Sequence, residues 1–450
     1  MRTPKLVEVR FPTNEGEAIL SELSKPPVQG CERVVLAMAG ISRTAMIDAI
    51  LVTNPRPVPE GAYYMAEEGT AWDPRFTAAV AQEALRRHLG VLTIHSHSFS
   101  VSPRLSGSDM HSFEQLLPAL RATVPYASHG SLVTGAGGGV GGVVWYPDTG
   151  IREVGKTRWI GSPLRTWPYT PHTGKKASLY KSHIDLIGTE GQHVLEGTTL
   201  GVIGLGGGGS HVVQQASRAG FGSLVLIDHD VVEEGNRSRT VGTRAGDVGK
   251  LKVFPMKRSV SEASTGIRVA YCAERFPSRA SIEKLKQCDL VISCVDTLSA
   301  RTEVIKFAWR HLIPLIDIGI GTHLIDSGDS RQIDQLAGHV HIYLPGGPCM
   351  WDSRLLTEGK VRAESGGHPE YLKGRGGPGQ VISFNGVVAS LAVTEAIQLV
   401  TSAMTRTSTR QFLQYDGITP SLLYGGHSRS PTCTLCETEL GAGDPLLHDT

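Results

Sequence analysis

The chain has 450 residues, with 44 Lys and Arg against 43 Asp and Glu and a formal net charge of +1. This length predicts two domains, and a balanced charge without a basic stripe gives no reason to expect nucleic acid as a partner. The N-terminus lacks a continuous apolar segment, and nowhere do about eighteen apolar residues run together, which argues against secretion and a membrane span and favours a cytoplasmic protein.

The predicted elements divide the chain into two parts. Residues 1–158 carry short apolar runs around a helical pattern at Asp73–His88, which predicts a small α+β domain. Residues 159–177 are rich in Pro, Thr and Gly, so we expect a linker there. From 178 to 436, strand runs alternate with helical stretches, which predicts an α/β domain with a largely parallel sheet. Beyond Ser428 only a Cys pair stands out, and we expect a poorly structured tail over 437–450.

A candidate metal centre lies in the first domain. His95 and His97 are two residues apart in an extended segment, so their side chains share a face. Asp109 follows after a loop and supplies a third ligand, which leaves a fourth position for water. A catalytic centre also needs a carboxylate to accept the proton of that water, and Glu32 is the candidate. Two other glutamates compete for this role: Glu67 and Glu68.

These residues follow an order that resembles a known motif. His95-x-His97, then eight residues, then Ser106-x-x-Asp109, with Glu32 upstream, resembles the JAMM motif of the JAB/MPN metallopeptidases. Members of that family cleave after the C-terminus of ubiquitin-like modifiers. The resemblance implies that His95, His97 and Asp109 bind zinc, that Glu32 is the general base, and that Ser106 helps to hold the oxyanion of the tetrahedral intermediate. The alternative is a solvated His pair without a metal.

The second domain opens with a glycine-rich turn between a strand and a helix. Gly204, Gly206 and Gly209 allow a tight turn and a close approach of backbone to phosphate, and the following helix N-terminus offers N–H groups. Asp228 ends the next strand, where a ribose hydroxyl would lie. A similar run in the first domain, Gly135–Gly142, precedes a strand, so we interpret it as a flexible turn.

The residues that follow favour a triphosphate over a dinucleotide. Arg239, Lys252 and Arg301 can neutralise charge on a triphosphate and on the developing pyrophosphate, and Asp296 at a strand end can hold magnesium. Hydride transfer needs neither these phosphate-neutralising cations nor a magnesium ligand, which disfavours a dehydrogenase.

The whole ordered set resembles the ThiF/MoeB/HesA superfamily, which includes the ubiquitin-activating enzymes, over about residues 178–436. The resemblance implies a Rossmann-like fold and the reaction of ATP at its α-phosphate with the C-terminal carboxylate of a ubiquitin-like protein, which gives an acyl-adenylate and pyrophosphate. It also implies these roles: Gly204, Gly206 and Gly209 cradle the nucleotide, Asp228 binds ribose, Asn236, Arg239 and Lys252 contact the phosphates, and Asp296 binds magnesium.

The cysteines indicate a second zinc site. Cys433 and Cys436 have the spacing of a zinc knuckle, which this superfamily often pairs with an earlier Pro-Cys-x-x-Cys. Here Cys349 is present but Asp352 replaces the second Cys. Three thiolates with Asp352 or water are one interpretation, and free thiols are the other.

Two features depart from the ubiquitin-activating enzymes. No Cys lies between residues 351 and 384, where those enzymes carry the catalytic thiol, so either the adenylate passes directly to another protein or a hydroxyl such as Ser365 accepts the acyl group. Ser182 also stands where the family has an arginine that reaches the partner's ATP in a homodimer. Lys181 and Arg165 are candidates to replace it, and we expect a homodimer.

The combination resembles the fused proteins of bacterial ubiquitin-like conjugation operons. It predicts a ubiquitin-like protein and a conjugating enzyme as partners, with ATP, magnesium and zinc as cofactors, and it suggests a role in defence against phage. A sulfur-carrier system for cofactor biosynthesis is the first alternative function. A nucleotide-binding scaffold without catalysis is the second.

Overall fold

The computed structural model describes residues 5–445 except 67–68, 98–99, 169–177, 264–265, 328–329, 366–379 and 405–410. The described part of the first domain forms a nine-stranded mixed sheet in the order β11-β10-β1-β3-β2-β6-β7-β8-β9. The strands are β1 (Leu6–Phe11), β2 (Val35–Arg43), β3 (Ile47–Pro57), the separate hairpin of β4 (Tyr63–Ala66) and β5 (Gly69–Trp72), β6 (Gly90–His97), β7 (His129–Gly135), β8 (Val140–Tyr146), β9 (Gly150–Glu153), β10 (Lys156–Trp159) and β11 (Arg165–Trp167).

Three helices cover this sheet: α1 (Thr13–Leu23), α2 (Pro74–Arg86) and α3 (Gly107–Thr123). The predicted helix at Asp73–His88 is confirmed as α2, and Asp73 caps its N-terminus by accepting a hydrogen bond from Arg75 N. The central strand β6 is almost wholly buried until His97, because β2 and β7 flank it and its apolar side chains enter cores on both faces. This burial fixes the strand that carries the two candidate histidine ligands.

The second domain is an α/β unit, as predicted. Its described residues form an eight-stranded sheet in the order β14-β13-β12-β15-β16-β17-β18-β19. The first five of these strands pair in parallel and the last three in antiparallel fashion. The strands are β12 (Thr199–Ile203), β13 (Ser223–Ile227), β14 (Arg268–Cys272), β15 (Leu290–Ser293), β16 (Leu315–Ser327), β17 (Ser330–Tyr343), β18 (Phe412–Asp416) and β19 (Ser421–Gly425).

Helices lie on both faces of this sheet, and each face has its own apolar core. They are α4 (Lys181–Gly197), α5 (Gly207–Ala219), α6 (Val253–Ala263), α7 (Arg279–Leu285), α8 (Leu298–Arg310), α9 (Glu358–Ser365), α10 (Ile382–Thr401) and α11 (Thr434–Glu439). By length and composition α10 could cross a membrane, and half of its apolar stretch is buried inside the protein. Because α10 packs on α4, α5, β16 and β17, we interpret it as a core helix.

The two domains meet through buried charges. The Arg10 guanidinium donates to the backbone oxygen of His311 at 2.9 Å and to that of Lys286 at 3.5 Å, so one side chain of β1 caps the C-terminal ends of α7 and α8. Glu8 accepts from Arg10 at 2.7 Å, and Arg158 lies 2.5 Å from Asp289. These contacts bury the ends of two helices of the second domain against the first sheet.

Two segments that the sequence predicted to be loosely structured contain ordered residues. Within the expected linker 159–177, residues Arg165–Trp167 form β11 and extend the first sheet, while 169–177 lie outside the described residues. The expected tail 437–450 is ordered as far as it is described, since Asp444 forms an ion pair with Lys286 and its N–H donates to Ile41 O at 2.6 Å. Both segments are held by tertiary contacts, which a local sequence pattern does not reveal.

Candidate functional sites

The candidate ligands of the first domain come together. Nε2 of His95 lies 3.3 Å from Oδ1 of Asp109, and Nε2 of His97 lies 3.5 Å from its Oδ2. One ligand atom of Glu32 and one of each histidine also lie within 4.8 Å of one another. The four side chains come from the segment before β2, from β6 and from α3, so the tertiary fold assembles the cluster. The competing Glu67 and Glu68 lie outside the described residues.

The separations fit a metal ion. Ligands bonded to zinc at about 2.0–2.2 Å in a tetrahedron lie roughly 3.4 Å from one another, which is close to the two His–Asp distances. Nε2 of His95 is buried, and within the described part of the chain it makes no hydrogen bond of acceptable geometry. A buried nitrogen lone pair is unfavourable unless a hydrogen bond or a metal satisfies it. The donor set of two imidazoles and a carboxylate therefore suits zinc.

Ser106 orients the carboxylate ligand. It is the N-cap of α3, where its Oγ accepts from Asp109 N at 3.2 Å while its own N–H donates to Asp109 Oδ2 at 2.6 Å. This reciprocal capping box fixes the Asp109 side chain toward the histidines. The hydroxyl also lies 2.8 Å from that of Ser108. The structure thus gives Ser106 a capping role, and its contact with an oxyanion stays a prediction.

The glycine run of the first domain has a packing role. A Cβ added to Gly135 would lie 2.3 Å from Ser100 O, and one added to Gly141 would lie 2.0 Å from Pro103 O. The loop between His97 and Ser106 therefore packs against backbone that only glycine leaves open. The run contains the end of β7, a turn and the start of β8 at Val140, and it is also a packed surface under the metal loop.

In the second domain the strand ends form a cleft of about 900 Å³. It is lined by most of the side chains and glycines expected to bind nucleotide: Gly204, Gly206, Asp228, Asn236, Arg239, Lys252 and Asp296. Gly209 lies behind this wall, where an added Cβ would be 1.9 Å from Gly204 O. Gly204 itself has φ +85°, a conformation that favours glycine. The two glycines are thus required by the shape of the turn.

Asp228 is held in place by the backbone around it. Its Oδ2 accepts from Leu205 N at 2.6 Å, and its Oδ1 accepts from Asp230 N at 2.8 Å. Burial raises the pKa of the Asp228 carboxyl, and the nearby Lys252 opposes that rise. The carboxylate therefore bridges the glycine turn and the loop after β13, at the position expected for a ribose contact.

The cations predicted to contact phosphate differ in their present ion-pair and hydrogen-bond partners. Lys252 lies 2.8 Å from Asp230, and Arg239, which is half-buried, donates to Gly235 O at 3.2 Å. Both contacts are on the rim of the cleft and can exchange for phosphate oxygens. Arg301 is different, because it is buried, pairs with Asp317 at 3.0 Å and donates to Ile318 O at 3.1 Å. Arg301 also lines the cleft, and its expected contact with phosphate stays a prediction.

Residues from distant segments of the chain also reach the cleft. Asn385 on α10 is 1% exposed, and its Nδ2 has no hydrogen-bond partner among the described residues. A Cβ on Gly207 would lie 2.3 Å from that Nδ2, so the amide faces the glycine turn. A phosphate oxygen would satisfy such a buried donor. Arg275, Gln380 and His339 also line the cleft, and no local motif marks them.

The cysteine cluster assembles as the spacing suggested. Ligand atoms of Cys349, Asp352, Cys433 and Cys436 lie within 4.8 Å of one another, and the sulfurs of Cys349 and Cys433 are 3.5 Å apart. A hydrogen bond with Cys349 lowers the pKa of the Cys436 thiol to about 7. Asp352 is fixed in the cluster because its oxygens accept from the N–H groups of Cys349 and Ser430. Three sulfurs and one carboxylate fit a closed, structural zinc site.

Several other predictions are not tested. Ser365 ends α9, and its side chain lies outside the described residues. Lys181 and Ser182 are exposed at the start of α4, and Arg165 is exposed in β11. Their proposed roles in acyl transfer or across a homodimer stay predictions.

Comparisons with known proteins match the second domain. A family model described as the ThiF family matches residues 180–435. A Dictyostelium discoideum protein named adenylyltransferase and sulfurtransferase MOCS3 is 27% identical over 232 residues, which cover 52% of this chain and 50% of that protein. The Salmonella typhimurium molybdopterin-synthase adenylyltransferase is 26% identical over 250 residues, which cover 55% of this chain and 90% of that protein.

The crystal structure of Escherichia coli MccB with ATP is similar at 21% identity and a TM-score of 0.48, covering 60% of this chain and 77% of that one. The chain thus spans about half the length of the Dictyostelium relative and most of the Salmonella one.

Proposed function

Because this chain belongs to the ThiF family, we propose that it transfers the AMP group of ATP to the C-terminal carboxylate of a small ubiquitin-like protein. The observation that carries the proposal is the cleft where the glycine turn, Asp228, Lys252 and Asp296 converge. The similarity to the Salmonella protein, whose name describes an adenylyltransferase acting on molybdopterin synthase, supports adenylation of a protein.

The residues of the cleft have different chemical roles in this reaction. The N–H groups at the start of α5 and the Asn385 amide bind phosphate oxygens, and Asp228 accepts from the ribose. Lys252 and Arg239 stabilise the negative charge that moves onto pyrophosphate as the carboxylate attacks the α-phosphate. Asp296 would hold magnesium, which neutralises phosphate charge when bound. A carboxylate at the strand end beside these cations is what separates this site from a dinucleotide site.

ATP–pyrophosphate exchange tests this proposal. The protein is mixed with each ubiquitin-like protein encoded near its gene, and Asp296→Ala is compared with Glu303→Ala, which removes an exposed carboxylate on α8. We expect exchange that requires the partner, a loss of at least about 100-fold in Asp296→Ala and a change of less than about twofold in Glu303→Ala. Binding of ATP without any exchange would instead support a nucleotide-binding scaffold.

The metal cluster supports a second candidate function. We propose that residues 1–158 form a zinc-dependent peptidase of the JAB/MPN type that cleaves after the C-terminus of the same modifier. The support is the convergence of Glu32, His95, His97 and Asp109, which come from separate elements. Zinc at this site would lower the pKa of a bound water toward about 7. Glu32 would accept a proton and pass it to the leaving amine.

Metal analysis and cleavage of a ubiquitin-like fusion protein test the peptidase. We expect about two zinc ions per chain, one in this cluster and one in the cysteine cluster. Glu32→Gln should keep the zinc and lose cleavage by about 100-fold or more, whereas Glu17→Gln, on the exposed face of α1, should behave as wild type. Cleavage that survives in Glu32→Gln would move the role of base to another group.

The partners and setting follow from these two activities. A ubiquitin-like protein is the shared substrate, and a conjugating enzyme would accept it after activation. A homodimer and a cytoplasmic location complete the proposal. Activation of a sulfur carrier is the alternative that the MOCS3 similarity favours, because that relative is named a sulfurtransferase as well.

A further inference from the structure

A histidine and a buried carboxylate form a pair in the nucleotide cleft. His339 of β17 lines the cleft with 24% of its side chain exposed, and its Nε2 lies 3.4 Å from Oδ2 of the fully buried Asp317 on β16. Gly319 makes room for the ring, because a Cβ there would lie 2.4 Å from the His339 Cε1 atom. The imidazole is thus held between two strands and open to the cleft on one side.

The charges around this pair fix its protonation pattern. Burial by itself raises the pKa of the Asp317 carboxyl. The positive charge of Arg301 and the hydrogen bond with His339 lower it, and together they outweigh burial, so the pKa lies below its ordinary value. A carboxylate can only accept hydrogen bonds, so Nε2 of His339 carries the proton and Nδ1 of the neutral ring has the free lone pair. The other charged or titratable groups near the ring are Arg301 on α8 and His341 on β17.

His339 and the phosphate-binding turn line the same cleft, since Gly206, Gly207 and Gly208, at the start of α5, also belong to its wall. Phosphate groups bind at such a helix N-terminus. The cleft continues from there along β16 as far as Leu324. The acyl group of an acyl-adenylate would therefore enter the part of the cleft that His339 lines.

We propose that His339, oriented by Asp317, is the general base for the step that removes the acyl group from the adenylate. The inference rests on the proposed adenylation and addresses the absence of a Cys between residues 351 and 384. A neutral primary amine attacks the acyl carbon, and a carbon–nitrogen bond forms. The bond from that carbon to the adenylate oxygen breaks, AMP leaves with the electron pair, and the amine proton moves to Nδ1 of His339.

Single-turnover acyl transfer tests this step. The enzyme, ATP and a ubiquitin-like protein that supports exchange are mixed with glycine ethyl ester, and amide formation is followed by mass spectrometry. His339→Gln should slow amide formation by about 100-fold while pyrophosphate exchange falls by no more than about threefold. Hydroxylamine, which reacts without much help from a base, should be acylated within about threefold of the wild-type rate.

The matched control is His88→Gln. His88 is exposed just after α2 and is not among the residues that line the cleft. This variant should transfer the acyl group as wild type does.

Three outcomes would overturn the proposal. Amide formation at the wild-type rate in His339→Gln would exclude a base at this position. An equal loss of exchange and transfer would assign His339 to adenylation or to folding instead. Wild-type protein that shows no exchange with any partner would remove the proposed adenylation itself, and with it this step.

Discussion

The first domain gathers its candidate metal ligands within 3.5 Å of a single carboxylate, whereas the second spreads its candidate nucleotide contacts over a cleft of about 900 Å³. The metal cluster depends on short side chains whose positions are set by packing of the loop beneath them. The nucleotide cleft depends on backbone at the ends of parallel strands, with long charged side chains at its rim. The difference explains why the two regions should respond differently to substitution.

The buried ionic cluster around Glu8, which holds Arg10 and Arg158 at the domain interface, gives the largest expected effect. Glu8 is fully buried between Arg10, Lys156 and Arg158, so Glu8→Gln removes the anion that all three share and leaves Asp289 beside Arg158. We expect a loss of about 4 kcal/mol in the free energy of unfolding, measured in urea, against less than about 0.5 kcal/mol for the exposed Glu17→Gln. Equal stabilities would mean that Glu8 does not stabilise the buried cations at this interface.

The next prediction concerns the nucleotide cleft alone. Gly209→Ala places a methyl group 1.9 Å from Gly204 O, which is backbone and has little freedom to move. We expect ATP affinity, measured by calorimetry, to fall by about 100-fold while zinc content stays unchanged. Gly235→Ala, in an open position of the neighbouring loop, serves as the control. A parallel loss of zinc would show that the two sites are not independent.

The next substitution is expected to affect the metal cluster and to leave the nucleotide cleft unchanged. Gly141→Ala would push on Pro103 O and displace the loop that leads to Ser106 and Asp109. We expect zinc affinity at this cluster, measured by cobalt absorption after substitution, to fall about tenfold, in the range seen when groups that support metal ligands are lost. Gly61→Ala, where an added Cβ meets nothing within 4 Å, should have no effect, and ATP affinity should not change in either variant.

Acid should weaken the buried ionic cluster around Glu8 by a smaller amount. Burial raises the pKa of Glu8, but Arg158, Arg10 and Lys156 together hold it well below the ordinary value of 4.5. Its contribution to stability is therefore complete above pH 4.5 and is lost as the pH falls below that value. We expect the stability difference between wild type and Glu8→Gln to shrink by about 1 kcal/mol from pH 6 to pH 4. A difference that grows in acid would contradict this assignment.

The sequence anticipated much of the second domain because its signals are local. The glycine turn, the strand before it and the helix after it are adjacent in the chain. The family match over residues 180–435 confirms the predicted resemblance to the ThiF family. Asn385 and His339 were missed because they belong to α10 and β17, which reach the cleft only through the packing of the sheet. The ion pair of Arg301 with Asp317 was not predicted for the same reason, since the two residues meet only in the folded chain.

In the first domain the spacing of His95, His97 and Asp109 determined that a metal site could form, because alternation along a strand and a capped helix are local properties. Only the tertiary structure decided that Glu32 joins that cluster and that glycines support its loop. The ordered tail and the buried charges between the domains were also decided there. Such contacts depend on which surfaces meet when the chain is folded, and local sequence patterns do not show which surfaces these are.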